Sequence, residues 1–110
     1  MIVDWVRVAE LQQEIGADGF AEVVTMFLEE ADEAIIRIAP GGDARALEAD
    51  LHFLKGAALN LGFAEFAGLC QDGERRAAMG DGTADLVAVA QSYTQSRQAL
   101  LAGLSQIRAA

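Results

Sequence analysis

Apolar residues recur at intervals of three and four along almost the whole chain, and no stretch alternates apolar with polar over a useful length. That period belongs to amphipathic helices around a shared core, so the chain is expected to be all-α. Asp4 is placed to cap a short first helix over 5–15, with Val8, Leu11 and Ile15 as its stripe and Gly16 as its stop. Alone, a helix this short is unstable, so it must dock on its neighbours. The second predicted helix runs from about Gly19 to Ala39 with Asp18 as its cap. Phe20, Val24, Phe27, Ala31, Ile35 and Ile38 share one face, with Glu22, Glu29, Asp32 and Glu33 opposite. Pro40-Gly41-Gly42 ends it in a tight connection.

Asp43 caps a third predicted helix from Ala44 to about Asn60. Its seam, Leu47, Leu51, Leu54, Ala58 and Leu61, has the spacing of a bundle helix, and Gly62 closes it. A fourth helix follows from about Phe63 to Met79, with Phe66, Leu69, Cys70, Gly73 and Ala77 facing inward. Gly80-Asp81-Gly82 makes the next turn. The last helix starts near Thr83 and reaches Ile107, with Leu86, Val89, Ala90, Tyr93, Leu100, Leu104 and Ile107 as its seam. Short loops between long amphipathic helices imply antiparallel neighbours. The expected architecture is an up-down four-helix bundle, with the short N-terminal helix capping one end. A length of 110 residues suits one domain over 1–110.

Composition narrows the functional classes. Hydrophobic residues make up 53% of the chain, enough for a real core. One cysteine allows no internal disulfide, and the chain has no clustered Cys and His ligands for zinc. A net charge of -9 disfavours nucleic acid and anionic lipid as partners. The chain shows no basic segment followed by an apolar run at its start, and no uninterrupted membrane-length apolar stretch. A cytoplasmic location is the expectation.

The only histidine, His52, lies within the third helix. At about 100° per residue, Leu61, Leu54, Leu47 and Ala58 fall at roughly 180–240° from it. His52 therefore faces away from the seam, beside Arg45, Glu48, Ala49, Lys55, Gly56 and Leu59. A structural histidine belongs on or beside the seam with a buried partner; this one is set for solvent. Gly56 stands one turn on, in mid-helix, where glycine costs roughly 0.8–1 kcal/mol against alanine. What it offers is room for another molecule to approach the imidazole. Ala49 is small on the other side, and Leu59 is an apolar residue with no core to serve. Lys55 puts a cation one turn from the ring, although alone it equally reads as an ordinary surface lysine. Glu48, one turn before, could accept the ring's second N–H and fix its tautomer, or could be a plain solvated glutamate. An accessible imidazole beside a cation suits phosphoryl transfer, because the neutral ring is a nitrogen nucleophile and the cation stabilises added negative charge. Hydrolysis is not expected, since no second histidine, paired carboxylate or activated serine shares this face.

The run His52-Phe53-Leu54-Lys55-Gly56-Ala57-Ala58-Leu59-Asn60-Leu61-Gly62 resembles the signature of histidine-containing phosphotransfer domains. That signature reads His-x-Leu-Lys-Gly, two small residues, x, Asn or Thr, an apolar residue and Gly. The resemblance extends to Leu69-Cys70 and to the four-helix layout. It implies a phosphocarrier, not a self-sufficient enzyme: His52 accepts a phosphoryl group from a receiver-domain aspartate or from a histidine kinase, hybrid kinases included. The group then passes to another receiver. Lys55 would stabilise the phosphoryl group and Gly56 would give the partner room. The chain would need no cofactor of its own, because the receiver supplies Mg²⁺.

Two positions depart from common family patterns. Gly73 stands where many relatives carry a larger apolar residue, which permits either a close helix approach or a small void. Glu74 stands where some relatives have a glutamine that contacts the imidazole. A carboxylate would oppose an added phosphoryl group, which argues against that role for Glu74 and leaves its part at the site open. The family's receivers dock on an apolar patch around the histidine. Leu59 and Ala49 fit that patch. Val23, Met26 and Ile36 of the second helix are further candidates, with Val23 and Met26 better explained by packing on the first helix. The acidic surface would help to select among receivers. A monomer is expected, since the seams close within one chain. The alternatives are a kinase's own phosphoacceptor domain and a structural helical adaptor; His52, Lys55 and Gly56 together argue against the adaptor.

Overall fold

The computed structural model describes residues 2–38, 43–81 and 84–109. They form α1 (Trp5–Ile15), α2 (Ala17–Arg37), α3 (Ala44–Leu61), α4 (Ala64–Ala78) and α5 (Leu86–Ala109), with no strand among the described residues. The chain is thus an all-helical bundle, as its periodicity predicts. None of these helices is long and apolar enough to cross a membrane.

The caps follow local chemistry. The Asp4 carboxylate accepts from the Val6 N–H at 3.1 Å and the Arg7 N–H at 3.4 Å, holding donors that would otherwise go unpaired at the start of α1. Gly16, at φ 89°, serves as both the end of α1 and the start of α2. Because one residue makes that joint, α2 begins at Ala17 and Asp18 falls in its first turn, where it is not the cap. Asp43 caps α3 by accepting from the Arg45 N–H at 3.2 Å. Gly62 ends α3 in the left-handed conformation at φ 77°, and a Cβ there would stand 2.6 Å from the Asp4 carbonyl oxygen. The Asp4 N–H also donates to the Gly62 carbonyl at 2.7 Å, so the N-terminal segment is fastened to the α3–α4 corner. Asp85 accepts from the Ala88 N–H at 3.0 Å at the start of α5. The expected Pro40-Gly41-Gly42 connection, Gly82, the Thr83 start and the Ile107 side chain lie outside the described residues.

All five predicted seam residues of α3 are buried, and Leu51 and Leu54 are fully enclosed. Phe63, Phe66 and Tyr93 join them from the other helices; Tyr93 meets Phe63 edge-on at 6.4 Å and lies tilted to Phe66 at 5.3 Å between ring centroids. Three sequence expectations shift. On α2 the buried stripe includes Leu28 and Ala34, while Phe27, Ile35 and Ile38 are only partly covered. On α4 Leu69 is exposed and Ala67 is buried instead. Ile15 lies exposed at the end of α1.

The α3–α4 pair matters most for the site. A Cβ on Gly73 would fall 2.9 Å from Leu51 Cδ1 and 3.4 Å from Ala84 Cβ. Gly73 therefore permits close helix approach and leaves no void. That approach carries the next residue, Glu74, to the outer face of α3.

Candidate functional site

His52 projects from α3 with 69% of its side chain exposed, while Leu51 and Leu54 hold the helix in the core from the opposite side. It stands on a helix face, where another macromolecule can reach it. Its Nδ1 lies 2.7 Å from Glu74 Oε1, and Lys55 Nζ lies 2.7 Å from Glu74 Oε2. One carboxylate thus bridges the ring and the cation. Glu74 thus makes the imidazole contact that its charge argued against. Glu48, the sequence candidate for orienting the ring, is half-buried and makes no hydrogen bond or ion pair among the described residues. The contact comes from α4 across the helix interface, not from one turn back along α3.

Electrostatics settle the direction of the contact. Lys55 holds the Glu74 carboxyl below the usual glutamate range, with the His52 contact adding to the effect against the opposing influence of burial. An ionised carboxylate only accepts hydrogen bonds, so Nδ1 carries the proton. In the neutral ring this leaves the lone pair on Nε2, which has no partner among the described residues. Glu74 Oε2 is shielded from solvent, so its charge is answered by Lys55 rather than by water. Cys70, one turn earlier on α4, is fully buried. Burial first, then Glu74, push its thiol up to about 12, partly offset by Lys55. It stays a neutral thiol and is no second nucleophile.

Gly56 is exposed, and a Cβ placed on it would meet nothing within 4 Å. The chain's own packing gives no reason for glycine there, which leaves access from outside as the physical rationale. Asn60 donates from Nδ2 to the Gly56 carbonyl at 3.0 Å, and Arg7 of α1 reaches Asn60 Oδ1 at 3.4 Å. This brace supports the helix turn at the glycine. Sequence reasoning gave neither Asn60 nor Arg7 a role; the Asn position in the motif was the one signal that could have pointed there.

Leu59 is 58% exposed, and Ala49 and Arg45 are exposed on the other side of His52 along α3. Met26 and Ile36 of α2 are exposed as well, and Val23 is half-buried. Arg37 of α2 pairs with Asp50 of α3 at 3.0 Å, fixing α2 alongside α3.

No curated protein and no solved structure matches the chain. A family model described as the Hpt domain matches residues 22–110, from early α2 to the end of the chain. With that match spanning most of the sequence, the chain belongs to the Hpt domain family, whose members act in histidine phosphotransfer within phosphorelays.

Proposed function

We propose that the chain is a phosphocarrier of a two-component phosphorelay, taking a phosphoryl group on His52 Nε2 and passing it on. The observation that carries this reading is the exposed imidazole whose Nδ1 is held by Glu74 at 2.7 Å, leaving Nε2 as the nucleophile. In the transfer step the Nε2 lone pair forms a bond to phosphorus while the P–O bond of an aspartyl phosphate breaks. The leaving electron pair returns to the aspartate, and the ring proton stays on Nδ1. Lys55, one turn along α3 from His52 and paired with Glu74, is the cation we assign to stabilising the incoming phosphoryl oxygens. Gly56 lets the partner's surface come near the ring, with Leu59 and Ala49 as contact points.

The donors and acceptors are receiver domains of response regulators, or a histidine kinase, hybrid or not, on the input side. Mg²⁺ belongs to the receiver, and the chain contributes no ATP site. All 110 residues act as one domain, a monomer working in the cytoplasm. Helices α2 to α5 run up and down as an antiparallel four-helix bundle, with α1 packed across one end; the short α3–α4 connection and the His52–Glu74 and Leu51–Gly73 pairings support this layout.

Incubation with receiver domains carrying labelled aspartyl phosphate tests the proposal. The expected outcome is acid-labile label on the protein, absent from His52→Gln while the helical circular dichroism is unchanged. Label that persists in that variant, or none from any cognate receiver, contradicts it.

A further inference from the structure

We infer that Glu74 is a positioning residue for the phosphorylated state: it keeps the proton on His52 Nδ1 while the phosphoryl group is on Nε2, and so holds the N–P bond ready to break. This rests on the phosphocarrier reading. Attack by Nε2 of a ring protonated at Nδ1 produces a phosphoimidazolium, a cation at the ring. Onward transfer breaks the N–P bond, returns its electron pair to Nε2, and releases a neutral imidazole that still carries its Nδ1 proton. If that proton were lost first, the departing group would be an imidazolate anion, a far poorer leaving group. Retention of one proton therefore decides whether the carrier can discharge.

The geometry provides for that retention. The Nδ1 atom sits 2.7 Å from a carboxylate whose charge Lys55 keeps in the ionised form. A neutral amide in the same place would accept the hydrogen bond without supplying the charge. Lys55 works against Glu74 at the ring, since it draws on the same carboxylate from 2.7 Å. Other charges bear less on the ring. Arg45 and Glu48 lie on the same face of α3, Glu48 one turn before His52, and neither side chain pairs with the ring among the described residues. Arg37 of α2 is engaged by Asp50 at 3.0 Å. Arg7 of α1 is engaged by Glu14 at 3.3 Å and Glu10 at 3.7 Å.

The test needs no partner protein. The protein is phosphorylated with phosphoramidate, and the carbon-bound ring protons of the single histidine are followed by NMR as pH is varied. Glu74→Gln is expected to bind the Nδ1 proton about 10-fold more weakly than the native protein, a downward shift of roughly one pH unit. Its phosphohistidine should persist longer at neutral pH. Lys55→Gln should shift the midpoint the other way, upward, because the carboxylate then serves the ring alone. Opposite shifts from two neighbouring substitutions are not what general loosening of the fold produces. Native-like midpoints and lifetimes in Glu74→Gln would overturn the inference while leaving the phosphocarrier reading intact. Failure of His52 to take phosphoryl from either phosphoramidate or a phosphorylated receiver would overturn both.

Discussion

Two networks in this molecule are built from the same parts. On the α2–α5 side, the Asp32 carboxylate accepts from the Tyr93 hydroxyl and from Arg97, whose Nε and terminal nitrogen reach its two oxygens at 3.2 and 3.3 Å. On the α3–α4 side, the Glu74 carboxylate takes the His52 ring and the Lys55 ammonium, both at 2.7 Å. Each has an aromatic ring, a carboxylate and a cation spread over two helices. The difference is where the ring points. Tyr93 is 4% exposed, and burial, then Asp32, raise its pKa further from the physiological range. That network is a clamp. The His52 side chain is 69% exposed and one ring nitrogen is left over. The same electrostatic motif therefore holds the fold in one place and prepares a nucleophile in the other, and exposure of the ring makes the distinction.

Substitutions can break that contrast, beginning with the largest effect. Tyr93→Phe removes a hydrogen bond to a charged acceptor and is expected to cost about 2 kcal/mol of stability. Phosphoryl transfer should be unchanged; a transfer defect in the folded variant would mean that the clamp is not merely structural. Gly73→Ala forces a methyl against the buried Leu51, and overpacking of this kind costs roughly 1–3 kcal/mol. It should also move α4 outward, loosen the Glu74–His52 contact and slow transfer, measured by denaturant unfolding alongside label transfer. Native stability there would show that the α3–α4 approach is not tight.

Gly56 gives the opposite sign. Alanine at an open mid-helix site should add roughly 0.8–1 kcal/mol of stability. Gly56→Gln should slow transfer by steric block with the fold intact. Transfer at the native rate would show that this glycine is not kept for access. The smallest effect is with pH. The folded Glu74 carboxyl has a depressed pKa, so its stabilisation is present above the ordinary glutamate range and is lost as pH falls through the folded value. The stability gap between the native protein and Glu74→Gln should therefore shrink in acid, as urea titrations at several pH values would show. A gap constant down through that range would contradict the ionised pair.

The sequence revealed most of the framework because helix periodicity and caps are local signals. The α3 seam, the Asp4 and Asp43 caps, and the stops at Gly16 and Gly62 all lie within a few residues of the elements they define. The errors arise where local pattern underdetermines packing. Leu28 is buried on α2, beside the Tyr93 clamp, although the chosen stripe passed through the adjacent Phe27. The inward face expected for the fourth helix includes Leu69, but the helix buries Ala67 and leaves Leu69 exposed. At the site, His52, Lys55 and Gly56 share one helix and could be placed by counting turns. Glu74 is 22 residues from His52, and no helical spacing within α3 announces it. Only the resemblance marked its position, and the pairing with Lys55 that offsets the carboxylate's charge appears only once the two helices are packed.

The central claim is that the exposed ring of the second network is primed at Nε2. It is tested most directly by phosphorylating the protein through a receiver and locating the N–P bond by proton–phosphorus correlation NMR on the single histidine. The account predicts phosphorus coupled through Nε2 of His52, with Nδ1 unsubstituted. Phosphorus on Nδ1, or on any other residue, would contradict it.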